Sequence, residues 1–317
     1  MIRRVFRQIS PAIAGVFVLA VLTLAGCATP QMLDLAGHWP ADLPAQTEMK
    51  DVPFFPQEEF ECGPAALAMV LQAAGVQVTP DALVGQVYLP GRKGSLQLEM
   101  LVASRRNGVP GYVISPTIEA LLREVAAGHP VLVFQNLSLP VYPVWHYAVV
   151  IGFDRARNQL ILHSGRTARA EMSLFTFERT WARGDYWAMV ALAPDRLPAT
   201  AEAERFAASI AALERSNPLA AQTAYATALK KWPDHRTLLI GAGNTAYALK
   251  LLPLAADAYR ATLQMHPDFA DAWNNLAQTL LDLGQRQEAA TAIAHAVALG
   301  GVRLPQYLSL QRKIDGE

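Results

Sequence analysis

From residue 199 to the C-terminus the sequence repeats itself about every 34 residues, and no other feature narrows the fold as far. Small and aromatic residues return in register: Ala221, Tyr225, Ala228 and Pro233, then Ala255, Tyr259, Thr262 and Pro267, then Ala289, Ile293 and Ala296. Trp273, Leu276, Ala277 and Leu280 keep helical spacing, and Leu283-Gly284 supplies a turn. A helix pair cannot bury its apolar face alone, whereas small residues at fixed positions let successive pairs stack closely. Residues 199–317 therefore read as an all-α array; an ordinary bundle would not need the matched spacing.

Upstream the period changes. Residues 62–74 have apolar side chains at helical spacing, with Pro64 in the first turn and Gly75 at the end. Further helices are expected from Thr79-Pro80, from Ser95 to Asn107-Gly108, and from Ser115-Pro116 to Gly128. Short β-rich runs follow at 131–134, 147–153, 160–162 and 186–192. Helices followed by strands describe an α+β domain over 50–194, its opening helix packed on an antiparallel sheet. A chain of 317 residues is too long for one core, and 52% hydrophobic against 17% charged residues excludes a largely disordered one. Twenty-seven basic residues balance twenty-seven acidic ones, which leaves no electrostatic footprint for nucleic acid.

The N-terminus reads as an export signal: Met-Ile-Arg-Arg-Val-Phe-Arg, then an uncharged apolar run from Pro11 to Gly26. That run is shorter than the ~20 residues that span a bilayer comfortably. Its end, Leu24-Ala25-Gly26-Cys27, resembles the lipobox of bacterial lipoproteins. The resemblance implies a signal peptide over 1–26, lipidation of Cys27 and, with Ala28 in place of aspartate, an outer-membrane lipoprotein facing the periplasm. Residues 27–49, with Pro30, Pro40 and Pro44, read as a lipidated tether. The chain has only two cysteines, so acylated Cys27 leaves Cys62 without a disulfide partner. An unpaired thiol in an oxidising compartment points to chemistry.

Val52-Pro-Phe-Phe-Pro-Gln57-Glu-Glu-Phe-Glu-Cys62-Gly63-Pro64-Ala65-Ala66, Gly128-His-Pro130-Val131 and Trp145-His146-Tyr-Ala-Val-Val-Ile-Gly152-Phe-Asp resemble the bacteriocin-processing, double-glycine leader peptidases and their stand-alone relatives. The resemblance covers residues 50–193 and implies a papain-like cysteine peptidase fold. By it, Cys62 is the nucleophile, His146 the general base and Gln57 an oxyanion-hole donor. Relatives place an acidic residue or asparagine where Leu162-His163-Ser164-Gly165 stands, so Ser164 takes the position that orients the histidine, with Asp154 and backbone carbonyls as further candidates. The 34-residue rows resemble tetratricopeptide repeats, the first of them degenerate.

The chemistry agrees with these assignments. A cysteine opening a helix meets free N–H groups that favour a thiolate, so a lowered pKa is expected for Cys62. A histidine in reach takes the proton and returns it to the leaving amine. His163 is the competing base; His38, His129, His235, His266 and His295 read as surface or packing residues. Neither paired metal-ligand spacing nor a nucleotide loop is present, since Pro90-Gly-Arg-Lys-Gly-Ser95 lacks the strand–loop–helix context, and no metal or cofactor is expected. The expected function is a membrane-anchored periplasmic cysteine peptidase whose repeats recruit a protein partner or substrate. The alternatives are an amidase or acyltransferase acting on cell-wall peptide, and a catalytically inactive scaffold.

Overall fold

The computed structural model describes residues 29–57 and 61–316. In chain order these form α1 (Pro30–Gly37), β1 (Gln46–Glu48), α2 (Cys62–Ala73), α3 (Pro80–Val87), β2 (Tyr88–Leu89), β3 (Gly94–Ser95), α4 (Gln97–Arg106), β4 (Gly111–Val113), α5 (Ile118–Ala126), β5 (Val131–Asn136), β6 (Trp145–Asp154), β7 (Gln159–Ser164), β8 (Thr167–Ser173), α6 (Leu174–Ala182) and β9 (Ala188–Ala191). The helical array follows as α7 (Ala203–Ala211), α8 (Pro218–Lys231), α9 (Arg236–Ala248), α10 (Leu252–Met265), α11 (Ala270–Asp282), α12 (Arg286–Leu299) and α13 (Leu304–Asp315).

β4, β9, β5, β6, β7 and β8 lie side by side in that order, each antiparallel to its neighbours. One edge of the long strand β6 is shared: β5 pairs with its first half, and β1 with Gly152 to Asp154. On one face of the sheet α2, α3 and α4 bury Leu67, Met69, Leu71 and Leu83 against Tyr147, Val149 and Ile151. The other face, with Ala148 and Val150, is covered by α1, α5 and α6. Alternation along β6 thus divides one strand between two cores.

Residues 30–48 do not form the expected tether. α1 buries Met32 and Leu35, and the fully buried carboxylate of Glu178 accepts the N–H groups of Gln31 and Met32 at 3.0 and 2.8 Å. These are orphan donors of a helix N-terminus, and an anion there also faces the favourable end of the helix dipole. β1 then completes the β6 edge. A Cβ on Gly152 would lie 2.6 Å from the Thr47 carbonyl oxygen, so glycine is what lets β1 approach.

Other differences are local. α4 begins at Gln97 rather than Ser95, and α5 at Ile118, where the Thr117 hydroxyl accepts the Ala120 N–H. β4, β8 and α6 were not anticipated. In the array, the recurring residues Ala221, Tyr225, Ala255, Tyr259, Ala289 and Ile293 are all buried. Tyr225 and Tyr259 sit against Gly241 and Gly243, where a side chain on either glycine would overlap the ring.

Candidate active site

Cys62 is the first residue of α2, and Gly63 through Leu71 behind it are buried. The backbone N–H groups of Tyr147, of Gly63 and of Cys62 itself lie near the thiol and favour its ionised form. Tyr147 directly follows His146, so this contact joins the helix N-terminus to the start of β6. Burial nonetheless pushes the Cys62 thiol above its ordinary value, outweighing these N–H groups. The lowered pKa expected from the helix terminus is therefore overturned by desolvation.

Gly63 has no room for a side chain, because a Cβ there would lie 2.3 Å from Ser95 Oγ. That oxygen is buried and has no hydrogen-bond partner among the described residues. The Tyr147 hydroxyl donates to the Ser95 carbonyl at 3.2 Å, fixing the 90–95 loop beside Cys62. Ser95, the last residue of the Pro90–Ser95 loop, thus packs against Gly63.

His146, the second residue of β6, stands opposite Gln135, and its Nε2 lies 2.9 Å from Ser164 Oγ. Burial pushes its imidazole down to about 4. Gln57 is buried between the same two segments: its Nε2 donates to the Tyr147 carbonyl at 3.1 Å, and its Oε1 accepts the Gly165 N–H at 3.2 Å. The backbone N–H of Gln57 also donates to the Gly165 carbonyl, at 3.0 Å. The side chain thus ties β6 to the turn after β7, a structural task that the sequence did not reveal. Through Tyr147 and Ser164-Gly165, the structure brings Gln57, Cys62, His146 and Ser164 into one neighbourhood.

The competing residues are committed elsewhere. His163 is buried; its Nε2 faces the Val52 carbonyl at 3.1 Å, its Nδ1 accepts the Arg169 N–H at 3.3 Å, and its ring tilts against Phe54. Asp154 closes the far end of β6, eight residues or roughly 26 Å from His146 at strand rise, where it accepts the Arg157 N–H. It cannot orient the imidazole. His129 pairs with Glu124 at 2.7 Å, and His295 stacks on Trp273. Cys27 lies outside the described residues. Among the described residues, no group of three or more His, Cys, Asp or Glu side chains is placed to hold a metal, and no helix is long and apolar enough to cross a membrane.

Residues 49–188 match the sequence model described as the Peptidase_C39 like family. Residues 206–268 and 258–292 match two tetratricopeptide repeat families. The chain carries a C39-like peptidase domain followed by tetratricopeptide repeats. Its similar solved structures include a putative C39-like peptidase from Bacillus anthracis, at 18% identity over 47% of this chain and 98% of that one, with a TM-score of 0.40. They also include a double glycine motif protease from an AMS/PCAT transporter in complex with its leader peptide, at 20% identity over 46% of this chain and 96% of that one, TM-score 0.33. The first tetratricopeptide domain of Spaghetti (RPAP3), bound to an HSP90 peptide, matches at 13% identity over 36% of this chain and 94% of that one, TM-score 0.33. A comparison with curated proteins returned no match.

Proposed function

We propose that this C39-like protein is a cysteine peptidase held at the outer membrane by lipid on Cys27, facing the periplasm, with the repeats recruiting a protein substrate or partner. The observation that carries the reading is the meeting of Cys62, His146 and Gln57 around the backbone of Tyr147. Because Ser164 engages Nε2 of His146, Nδ1 is the nitrogen that takes the thiol proton, and the Nε2–H tautomer donates to the serine hydroxyl. Sγ attacks the scissile carbonyl as its proton passes to Nδ1. The amide of Gln57, which has a second hydrogen beyond the one given to Tyr147, and the N–H of Cys62 bind the oxyanion. Collapse expels the amine, which takes the proton back from His146, and leaves a thioester that water hydrolyses.

The test is peptide cleavage and acyl-enzyme trapping by the full chain. Cys62→Ser is expected to abolish both, and Gln57→Ala to lower turnover by ~10² to 10³, the usual cost of one oxyanion donor. One observation favours a second reading, an inactive scaffold: a thiol pushed up and an imidazole pushed down rest as a neutral pair. Absence of any Cys62-dependent product from proteins, peptides or cell-wall fragments would establish that reading; product from cell-wall fragments alone would make the protein an amidase.

A further inference from the structure

β5 and β6 are joined by a hairpin tip whose side chains are apolar and exposed. Leu139 is 64% exposed, Val141 76%, Tyr142 79%, Val144 53% and Trp145 51%. The tip has a defined shape: Leu139 and Tyr142 form a bridge, and at its base the side-chain carbonyl of Asn136 accepts the N–H groups of Ser138 and Val144 at 3.0 Å each. Pro140 and Pro143 restrict it further. From Pro130 to Phe153 the chain has no aspartate, glutamate, lysine or arginine. A contiguous apolar projection of this kind marks a contact surface, and leucine and valine flanking tyrosine and tryptophan suit the interfacial zone of a bilayer.

The position of the chain's N-terminal end says what covers the tip. Gln31, two residues into the described chain, donates its backbone N–H to Glu178 in α6, the helix that runs into the 183–186 segment. The same short segment holds the root of the hairpin: Arg183 Nε donates to the Asn136 carbonyl at 3.1 Å, and Gly184 lies against the Phe134 carbonyl so closely that a Cβ would come within 2.4 Å. Cys27 is four residues before Gln31, a span of at most about 14 Å. The described chain therefore begins near the root of the exposed hairpin.

We infer that the 137–145 hairpin is a second membrane contact, inserted in the same bilayer that holds the N-terminus, so that the cleft at His146 opens along the membrane surface. The inference rests on the membrane attachment proposed above. It also gives the substrate class: polypeptides lying on or anchored to the bilayer, whose cleavage sites a freely diffusing pose would rarely present.

The full chain, reconstituted in phosphatidylethanolamine–phosphatidylglycerol vesicles, separates the two claims. Flotation reads attachment, and quenching of tryptophan fluorescence by brominated acyl chains reads insertion, with Trp145→Phe isolating the contribution of Trp145 from the other five tryptophans. The expected result is flotation of every variant, quenching that falls in Trp145→Phe, and loss of Trp145 quenching in Val141→Asp/Tyr142→Asp. Flotation with equal quenching in wild type and Trp145→Phe overturns the inference while leaving attachment standing. A chain that does not float overturns both. If Trp145 stays unquenched on floated vesicles and the aspartate pair lowers cleavage of soluble apolar peptides, the hairpin docks peptide instead, and the inference falls.

Discussion

His146 meets a hydroxyl at the place where a carboxylate would hold an imidazolium best. Ser164 accepts its N–H but adds no charge, so burial dominates and leaves the ring neutral above a pH of about 4. At pH 7 the ring is thus not a cation able to stabilise a thiolate, and the Cys62 thiol ionises only above its ordinary range. Alkylation of wild-type Cys62 is accordingly expected to rise only at high pH, with no inflection between 5 and 7, and Ser164→Ala to leave that profile nearly unchanged. Ser164→Asp introduces an opposite charge about 3 Å from the ring and raises its pKa, because the charged form gains a partner. The expected outcome is roughly tenfold faster alkylation at pH 7, the equivalent of about one pKa unit, together with a new inflection at acid pH. Superimposable profiles for wild type and Ser164→Asp would show that this position does not govern the imidazole. At this scale the sequence pointed to Gln57, Cys62, His146 and Ser164 through residue type, and the structure sets the Ser164 hydroxyl on the His146 ring. It was silent on the Tyr147 backbone, whose part depends on strand register and not on residue type.

β6 shows why some elements were legible and others not. Its β-branched run and the capped helices around it announce themselves through period and N-cap residues; Thr79 and Thr117 both accept a helix N–H. A three-residue strand such as Gln46–Glu48 has no period to read, and α1 owes its place to Glu178, which is 146 residues away from Met32. Prolines 30, 40 and 44 read as a linker because local pattern carries no record of such distant partners. Gly152 was visible in the strand motif, but its reason appears only with β1 in place. Gly152→Val would drive a side chain into the Thr47 carbonyl, which as backbone cannot rotate away. Overpacking of this kind typically costs about 1–3 kcal/mol. The variant is expected to melt several degrees lower and to be cleaved faster by protease between residues 38 and 50. Unchanged proteolysis there would mean that β1 is not held by its fit against Gly152.

On the scale of the whole chain, the two units recognised in the sequence do not have separate cores. The apolar cluster on the α5–α6 face of the sheet runs without a break into Phe206, Ala207, Ile210, Leu213, Tyr225, Leu238 and Ala242 of α7, α8, α9 and their connections, whereas Ala246 and the residues beyond belong to another cluster. Polar contacts reinforce the junction. Glu124, fully buried, accepts the N–H groups of Ala199 and Thr200 at 3.0 and 2.8 Å, and Arg205 donates to the Val113 carbonyl at 2.8 Å. Helical period alone marks where secondary structure changes type, and that change falls near residue 199; it does not say which core a helix fills. A chain ending at Leu197 would leave Glu124 buried without two backbone donors and would uncover the face that Phe206 and Ile210 occupy. Each such side chain contributes about 1.5–3 kcal/mol by burial, against a total of about 5–15 kcal/mol for a typical domain. That truncation is expected to lose cooperative thermal unfolding and to bind a hydrophobic dye, while a chain ending at Leu249 keeps α7–α9, melts cooperatively and retains the wild-type alkylation profile of Cys62. If the shorter chain melts as sharply as the longer one, the peptidase sheet is stable without the first helices of the array, and the shared cluster is only a contact between two independent domains.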